Sequence, residues 1–233
     1  MGWRVSISCM RNADGQLLET FLNGGGSIHC PKDLVPAPGQ YLQVISKGTL
    51  DLQAVSLFSS GAARVGFFAA PPLPVHWMPG TSLRLRGPIG HGFSLPANSR
   101  RLALMAYEET PLRLCGLIQP AVQAGTEVVV VTDHPLQELP VSVEIQPISE
   151  LVNVWTWADA VAVDISRENW PSLKTELNQA VLDGKKGKPG QILLRTDMPC
   201  GALAECGVCA ITIGKRWKMI CKDGPVFDLD DLV

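Results

Sequence analysis

The sequence predicts a multidomain α+β chain. An antiparallel β-barrel is expected over 1–99, a small parallel α/β domain over 100–190 and a cysteine-bearing segment over 191–233. Three observations carry this. Short apolar runs separated by Gly and Pro, with almost no helical periodicity, fill the first part. Near-continuous apolar strands alternating with helical stretches fill the second, as a parallel sheet covered on both faces requires. Four of the seven cysteines are then gathered in the third, between Cys200 and Cys221.

In the first part, residues 3–8, 39–45, 53–57, 63–68 and 81–85 are strand-length runs. Gly24, Gly25 and Gly26 mark a turn, and the prolines from Pro71 to Pro79 mark an irregular loop. In the second part, 101–106, 126–131 and 159–164 read as strands buried on both sides. The stretch 112–124 reads as a helix closed by Gly125. A second helix is expected over 171–182, with Pro171 in its first turn and Gly184 beyond its end. In the third part, 190–195 reads as a strand leading into the cysteines.

The chain has 233 residues, 46% hydrophobic and 18% charged, with a formal net charge of -2. That composition supports real cores and offers no basic field to nucleic acid or an anionic membrane. No apolar run approaches the ~20 residues needed to span a bilayer. The first residues lack the apolar core of a signal peptide. Gly2 and Ser6 match a myristoylation pattern, but one so short that chance produces it often. A cytoplasmic location is therefore expected, where clustered cysteines are more often metal ligands than disulfides. Cys9, Cys30 and Cys115 read as small buried hydrophobes.

Cys200, Cys206, Cys209 and Cys221 form the pattern C-x5-C-x2-C-x11-C. Four thiolates suit an iron–sulfur cluster or zinc. A zinc ribbon ordinarily shows two C-x2-C pairs, and here there is one. The plant-type [2Fe–2S] spacing begins C-x4-C-x2-C, one residue shorter in its first gap. Gly201, Ala202, Ala204 and Gly207 are small, so backbone N–H groups can approach inorganic sulfide closely. Iron–sulfur is the favoured reading, and structural zinc stays open beside it.

The stretch from Asp197 to Ala210, followed by Trp217-Lys-Met-Ile-Cys-Lys-Asp-Gly-Pro-Val-Phe227, resembles the end of the electron transfer subunit of dihydroorotate dehydrogenase type B. Pro38-Gly-Gln-Tyr-Leu42 and Gly87-Pro-Ile-Gly-His-Gly-Phe93 resemble the barrel signatures of the wider ferredoxin reductase-like superfamily. The resemblance covers the whole chain and implies an FAD-type barrel, an NAD-binding-like α/β domain and a [2Fe–2S] segment. It implies electron transfer between a catalytic dihydroorotate dehydrogenase-like partner, in a heterotetramer, and FAD and NAD, in pyrimidine biosynthesis.

The departures are as informative as the matches. In the family an Arg-Pro-hydrophobe-Ser stretch meets the FAD pyrophosphate, and its place here is Gln53-Ala54-Val55-Ser56. These four are the residues the resemblance assigns to FAD, yet only the serine is kept. The arginine that would neutralise a diphosphate is missing, with Arg64 the nearest candidate to replace it. The glycine-rich loop after the first α/β strand is replaced by Tyr107-Glu-Glu-Thr-Pro-Leu112, and Cys-Gly-Pro by Asp164-Ile-Ser166. Glu108 and Glu109 would stand where phosphates belong, so NAD is not expected to bind. The alternatives are a cluster-only or non-catalytic partner subunit of a ferredoxin oxidoreductase or sulfide dehydrogenase type of complex, or a zinc-stapled interaction module. No catalytic residues are expected.

Overall fold

The computed structural model describes residues 11–48, 53–94, 96, 98–136, 139–177 and 189–232. The strand expected over 3–8, Cys9, and the end of the helix expected over 171–182 lie outside the described residues.

Six strands close the barrel in the order β1-β2-β5-β4-β3-β6. They are β1 (Arg11–Thr20), β2 (Gly26–His29), β3 (Tyr41–Ser46), β4 (Val55–Ala63), β5 (Gly66–Ala69) and β6 (Ser82–Ile89). Every pairing is antiparallel. Leu17, Ile28, Leu42, Val44, Leu57, Phe67, Leu83 and Leu85 fill the interior. Pattern reading passes over β1 because Leu17 alone among its ten residues is fully buried. The proline-rich stretch between β5 and β6 is irregular, as expected, and is pinned by buried Trp77.

The second sheet contains β7 (Arg101–Ala106), β8 (Glu127–Val131), β9 (Val143–Gln146), β10 (Ala160–Ser166), β11 (Gly190–Arg195) and β14 (Val226–Asp228). Its order is β14-β11-β10-β7-β8-β9. All neighbours run parallel except β14, which joins β11 antiparallel. Successive side chains alternate between faces. Ala103, Met105, Val129, Val131, Val161 and Val163 pack on one face under Trp155 and Leu151. Leu102, Leu104, Val128, Val130, Ala160 and Ala162 pack on the other with Leu114 and Ile118. This two-sided burial is why these strands read as unbroken apolar runs.

The helices are short: α1 (Ile118–Gln123), α2 (Leu151–Trp157) and α3 (Trp170–Glu176). The stretch 112–124 is not one helix. It opens with two 3-10 turns, Pro111–Arg113 and Cys115–Leu117, before α1 begins. Pro120, in the first turn of α1, has no N–H for the turn before it, and Gly116 lies against Pro38 of the barrel. Near the cysteines, β12 (Ala210–Ile213) and β13 (Arg216–Met219) form a hairpin, followed by the helical turns α4 (Ile220–Asp223) and α5 (Leu229–Leu232). Among the described residues no helix is long and apolar enough to cross a membrane.

The two signature stretches meet. The His91 N–H donates to the Gly224 carbonyl at 2.6 Å, and His91 Nδ1 lies 3.1 Å from the Asp223 carbonyl. Gly90 has φ +81, and a Cβ there would collide with Pro225. The turn after β6 thereby fixes the loop that follows Cys221.

Candidate cluster and cofactor site

The four cysteines lie together at the junction of barrel, sheet and hairpin. Cys200 and Cys206 face outward, whereas Cys209 and Cys221 are buried. Cys200 Sγ lies 3.5 Å from Cys206 Sγ. Cys200 also touches the Cys221 side chain, and Cys221 touches that of Cys209. The four thiols are therefore linked in one group. Among the described residues no three His, Cys, Asp or Glu side chains gather round one ion position. The Cys221 N–H donates to Cys209 Sγ at 3.5 Å.

The loop carrying Cys200 turns through two left-handed residues, Gly201 (φ +49) and Ala202 (φ +66). Consecutive residues of this kind aim backbone N–H groups into a concavity suited to negative charge. Burial pushes the Cys200 thiol up. The backbone of Ala204, then the Cys206 side chain and the backbone of Ala202, outweigh burial and bring the thiol down to about 7. For Cys221, burial and then the adjacent Cys209 side chain push the thiol up to about 12.

Three barrel side chains hold this loop. The Tyr41 hydroxyl donates to the Cys221 carbonyl. Arg86 donates to the carbonyls of Cys200 and Gly201. Gln43 Nε2 donates to the Met198 carbonyl at 2.7 Å and to Ser56 Oγ at 3.0 Å. One buried amide thus touches both the cysteine loop and the serine kept in the stretch assigned to FAD. Sequence reasoning missed all three. The one signal was Gln43, a polar residue inside the apolar run Tyr-Leu-Gln-Val-Ile.

Beside the loop, a cavity of about 630 Å³ separates barrel from α/β domain. Gln53, Ala54, Val55 and Ser56 line its barrel wall with Phe58, Ala70, Pro71 and Pro72, opposite Glu109, Arg113, Ser166, Arg167 and Arg195. Apolar side chains with a few polar groups are ordinary lining for an aromatic cofactor ring. Arg64 is not part of this lining and lies in the turn between β4 and β5. The three arginines of the far wall are already paired: Arg113 and Arg195 with carboxylates, and Arg167 with Glu168 and the Val208 carbonyl.

The donor sets can be set against three groups. Four linked thiols, two of them buried and one served by the Cys221 N–H, fit an iron–sulfur cluster. The barrel wall fits a flavin ring, but Gln53 to Ser56 bring no cation to its diphosphate. The glycine-free loop at the ends of β7 and β10 does not fit a dinucleotide.

Residues 196–233 match the family described as the iron–sulfur cluster binding domain of dihydroorotate dehydrogenase B. The chain is similar to the electron transfer subunit of that enzyme. Sulfhydrogenase 1 subunit gamma of Pyrococcus furiosus is 27% identical over 241 residues, 84% of this chain and 80% of that protein. A chain of the NADH-dependent reduced ferredoxin-NADP oxidoreductase superposes with a TM-score of 0.72 at 16% identity, covering 94% of this chain and 89% of its own. Ferredoxin-NADP+ reductase of Plasmodium falciparum superposes at 0.57 with 8% identity, covering 80% of this chain and 96% of its own. The barrel, parallel-containing sheet and cysteine segment are thus the ferredoxin reductase-like fold. The dihydroorotate dehydrogenase B match itself rests on the cysteine module.

Proposed function

We propose that this chain is an electron transfer subunit that carries a [2Fe–2S] cluster on Cys200, Cys206, Cys209 and Cys221 and a flavin in the cavity bounded by Gln53, Ala54, Val55 and Ser56. The observation that carries the reading is the group of four linked thiols lying beside that cavity, with Gln43 touching both the cysteine loop and Ser56. Their spacing, with a single C-x2-C pair and small residues between the ligands, suits two irons sharing inorganic sulfide better than a zinc ribbon, which ordinarily shows two such pairs. When bound, a cluster of this kind moves single electrons and a flavin exchanges them with two-electron donors.

The chain's own residues supply position and field. Arg86 places a cation beside the loop of Cys200. Tyr41 and Gln43 fix the loop carbonyls, holding the distance between cysteine site and cavity constant. Leu203 and Val208, within three residues of Cys200, Cys206 and Cys209 in the chain, and Trp217 on the β12–β13 hairpin expose apolar surface. That surface fits a catalytic partner subunit docking over the cysteines.

A dihydroorotate dehydrogenase-like partner, in a heterotetramer serving pyrimidine biosynthesis, is favoured by the match of residues 196–233. A sulfhydrogenase-like complex is the second reading, favoured by a likeness that covers 84% of the chain. Anaerobic purification followed by iron, sulfide, zinc and flavin assays tests the site. About two irons and about two sulfides per chain are expected, falling sharply in Cys206→Ser. One zinc without sulfide would overturn the redox reading. Reduction of the chain by dihydroorotate in the presence of the copurified partner separates the two partner readings.

A further inference from the structure

The carboxyl ends of β7, β10 and β11 open onto one crevice, the place where a parallel sheet of this kind receives a nucleotide. Here the polar groups at its rim, some of which also line the cavity described above, are paired with one another. Asp164, only 1% exposed at its side chain, lies 3.1 Å from Arg113 and 2.6 Å from Arg195. Glu109 lies 2.8 Å from Arg113 and 3.0 Å from Arg195. Glu108 accepts from the Ser166 N–H at 2.8 Å and from the Ser166 hydroxyl at 2.9 Å, with Arg195 3.5 Å away.

A backbone N–H at a strand end, a hydroxyl and two guanidinium groups are the donors a phosphate would engage. In this chain carboxylates already engage each of these groups, with Arg195 Nη2 the one buried guanidinium nitrogen among them that makes no hydrogen bond. Three carboxylates also outnumber two guanidinium groups, so the set carries a net negative charge. An incoming pyrophosphate would have to displace charged groups that are already hydrogen-bonded, while facing like charge.

We infer that Glu108 and Glu109 are built-in stand-ins for a dinucleotide's phosphates, so that the crevice is self-occupied and the chain binds no pyridine dinucleotide. Joined to the electron-transfer reading, this sets soluble NAD aside as the second redox partner. The occupancy itself does not depend on that reading, because anion binding is measured whether or not a cluster is present.

The test is titration calorimetry on the full chain with NADH, ADP and inorganic pyrophosphate. Wild type is expected to show no saturable binding of NADH up to about 1 mM. Glu108→Gln/Glu109→Gln is expected to bind pyrophosphate at least about tenfold more tightly than wild type, with the gain shrinking as salt rises. Saturable NADH binding by wild type, competed by ADP, overturns the proposal. So does a folded double variant with no gain for pyrophosphate. Should the double variant not fold, Glu109→Gln alone, at a side chain 44% exposed, decides by the same criterion. Iron content measured on the same samples reports separately on the cluster.

Discussion

The Tyr41 hydroxyl reaches the Cys221 carbonyl across 3.2 Å and 180 positions of sequence. Burial, with Cys221 as the next cause, pushes the phenol upward, so Tyr41 is a neutral donor at any working pH. Tyr41→Phe leaves the carbonyl behind Cys221 without this partner in a buried site. A loss of about 1–3 kcal/mol is expected from urea denaturation, together with lower iron retention after gel filtration. An unchanged midpoint and full iron would sink the link between barrel and cysteine loop.

Gly201 tests the same joint from the other side. Its φ is +49, and a Cβ would land inside van der Waals contact with Arg86 Nη2 and Gln43 Cγ. Gly201→Ala combines backbone strain with that collision. It should destabilise the fold by about 1–2 kcal/mol and reduce bound iron more than it reduces secondary structure. Circular dichroism and iron assay on one sample separate the two effects.

Trp217, on the β12–β13 hairpin, is 74% exposed and Leu203 is 73% exposed. Trp217→Ala should leave stability within about 0.5 kcal/mol of wild type, since the side chain packs on little. Affinity for the proposed catalytic partner should fall by about 2 kcal/mol or more, roughly thirtyfold, as for a buried aromatic anchor. Surface plasmon resonance with the partner subunit reads this directly. Unaltered affinity would place the docking face elsewhere.

Glu109 gives a pH dependence with a defined sign. Burial raises its carboxyl, but Arg195 and then Arg113 outweigh burial and hold it below its ordinary value of 4.5. A depressed folded pKa stabilises the fold above the unfolded value, and that contribution disappears as pH falls through the folded one. Because the side chain is 44% exposed, screening keeps the effect below about 1 kcal/mol. Glu109→Gln should therefore flatten the decline of thermal stability below about pH 4.5 while changing its slope little near neutrality. Parallel slopes for both proteins in acid would remove Glu109 from the network.

Much of this architecture was legible because it is local. Glu127–Val131 reads as a strand because both its faces are buried, leaving one composition compatible with it. The cysteine spacing reads as a ligand set because thiols have few other reasons to cluster. Other parts depend on partners far away in sequence. Glu108 and Glu109 read as charges blocking a phosphate site. That Arg195, contributed by another strand, would neutralise them carries no local signature. Gln43 is a polar residue in an apolar run, and nothing local shows that its amide meets Met198 and Ser56. The helix expected over 112–124 starts late because Pro120, in the first turn of α1, has no N–H for the turn before it.

The way the four thiols are held also has a consequence for biogenesis. Cys200 hangs from a loop clamped by barrel side chains, whereas Cys221 stands between β13 and β14, the latter an edge strand that must find β11. The proposed ligands therefore answer to two scaffolds: the β11–β14 pair, whose strands are near in sequence, and the barrel clamp, whose contacts span 114 to 180 positions. Loops of that length close late. A maturation factor delivering iron and sulfide to a half-made chain would meet scattered thiols and nothing to hold them. Under the proposed ligation, loading would then distinguish chains in which both scaffolds have closed from those in which one is still open.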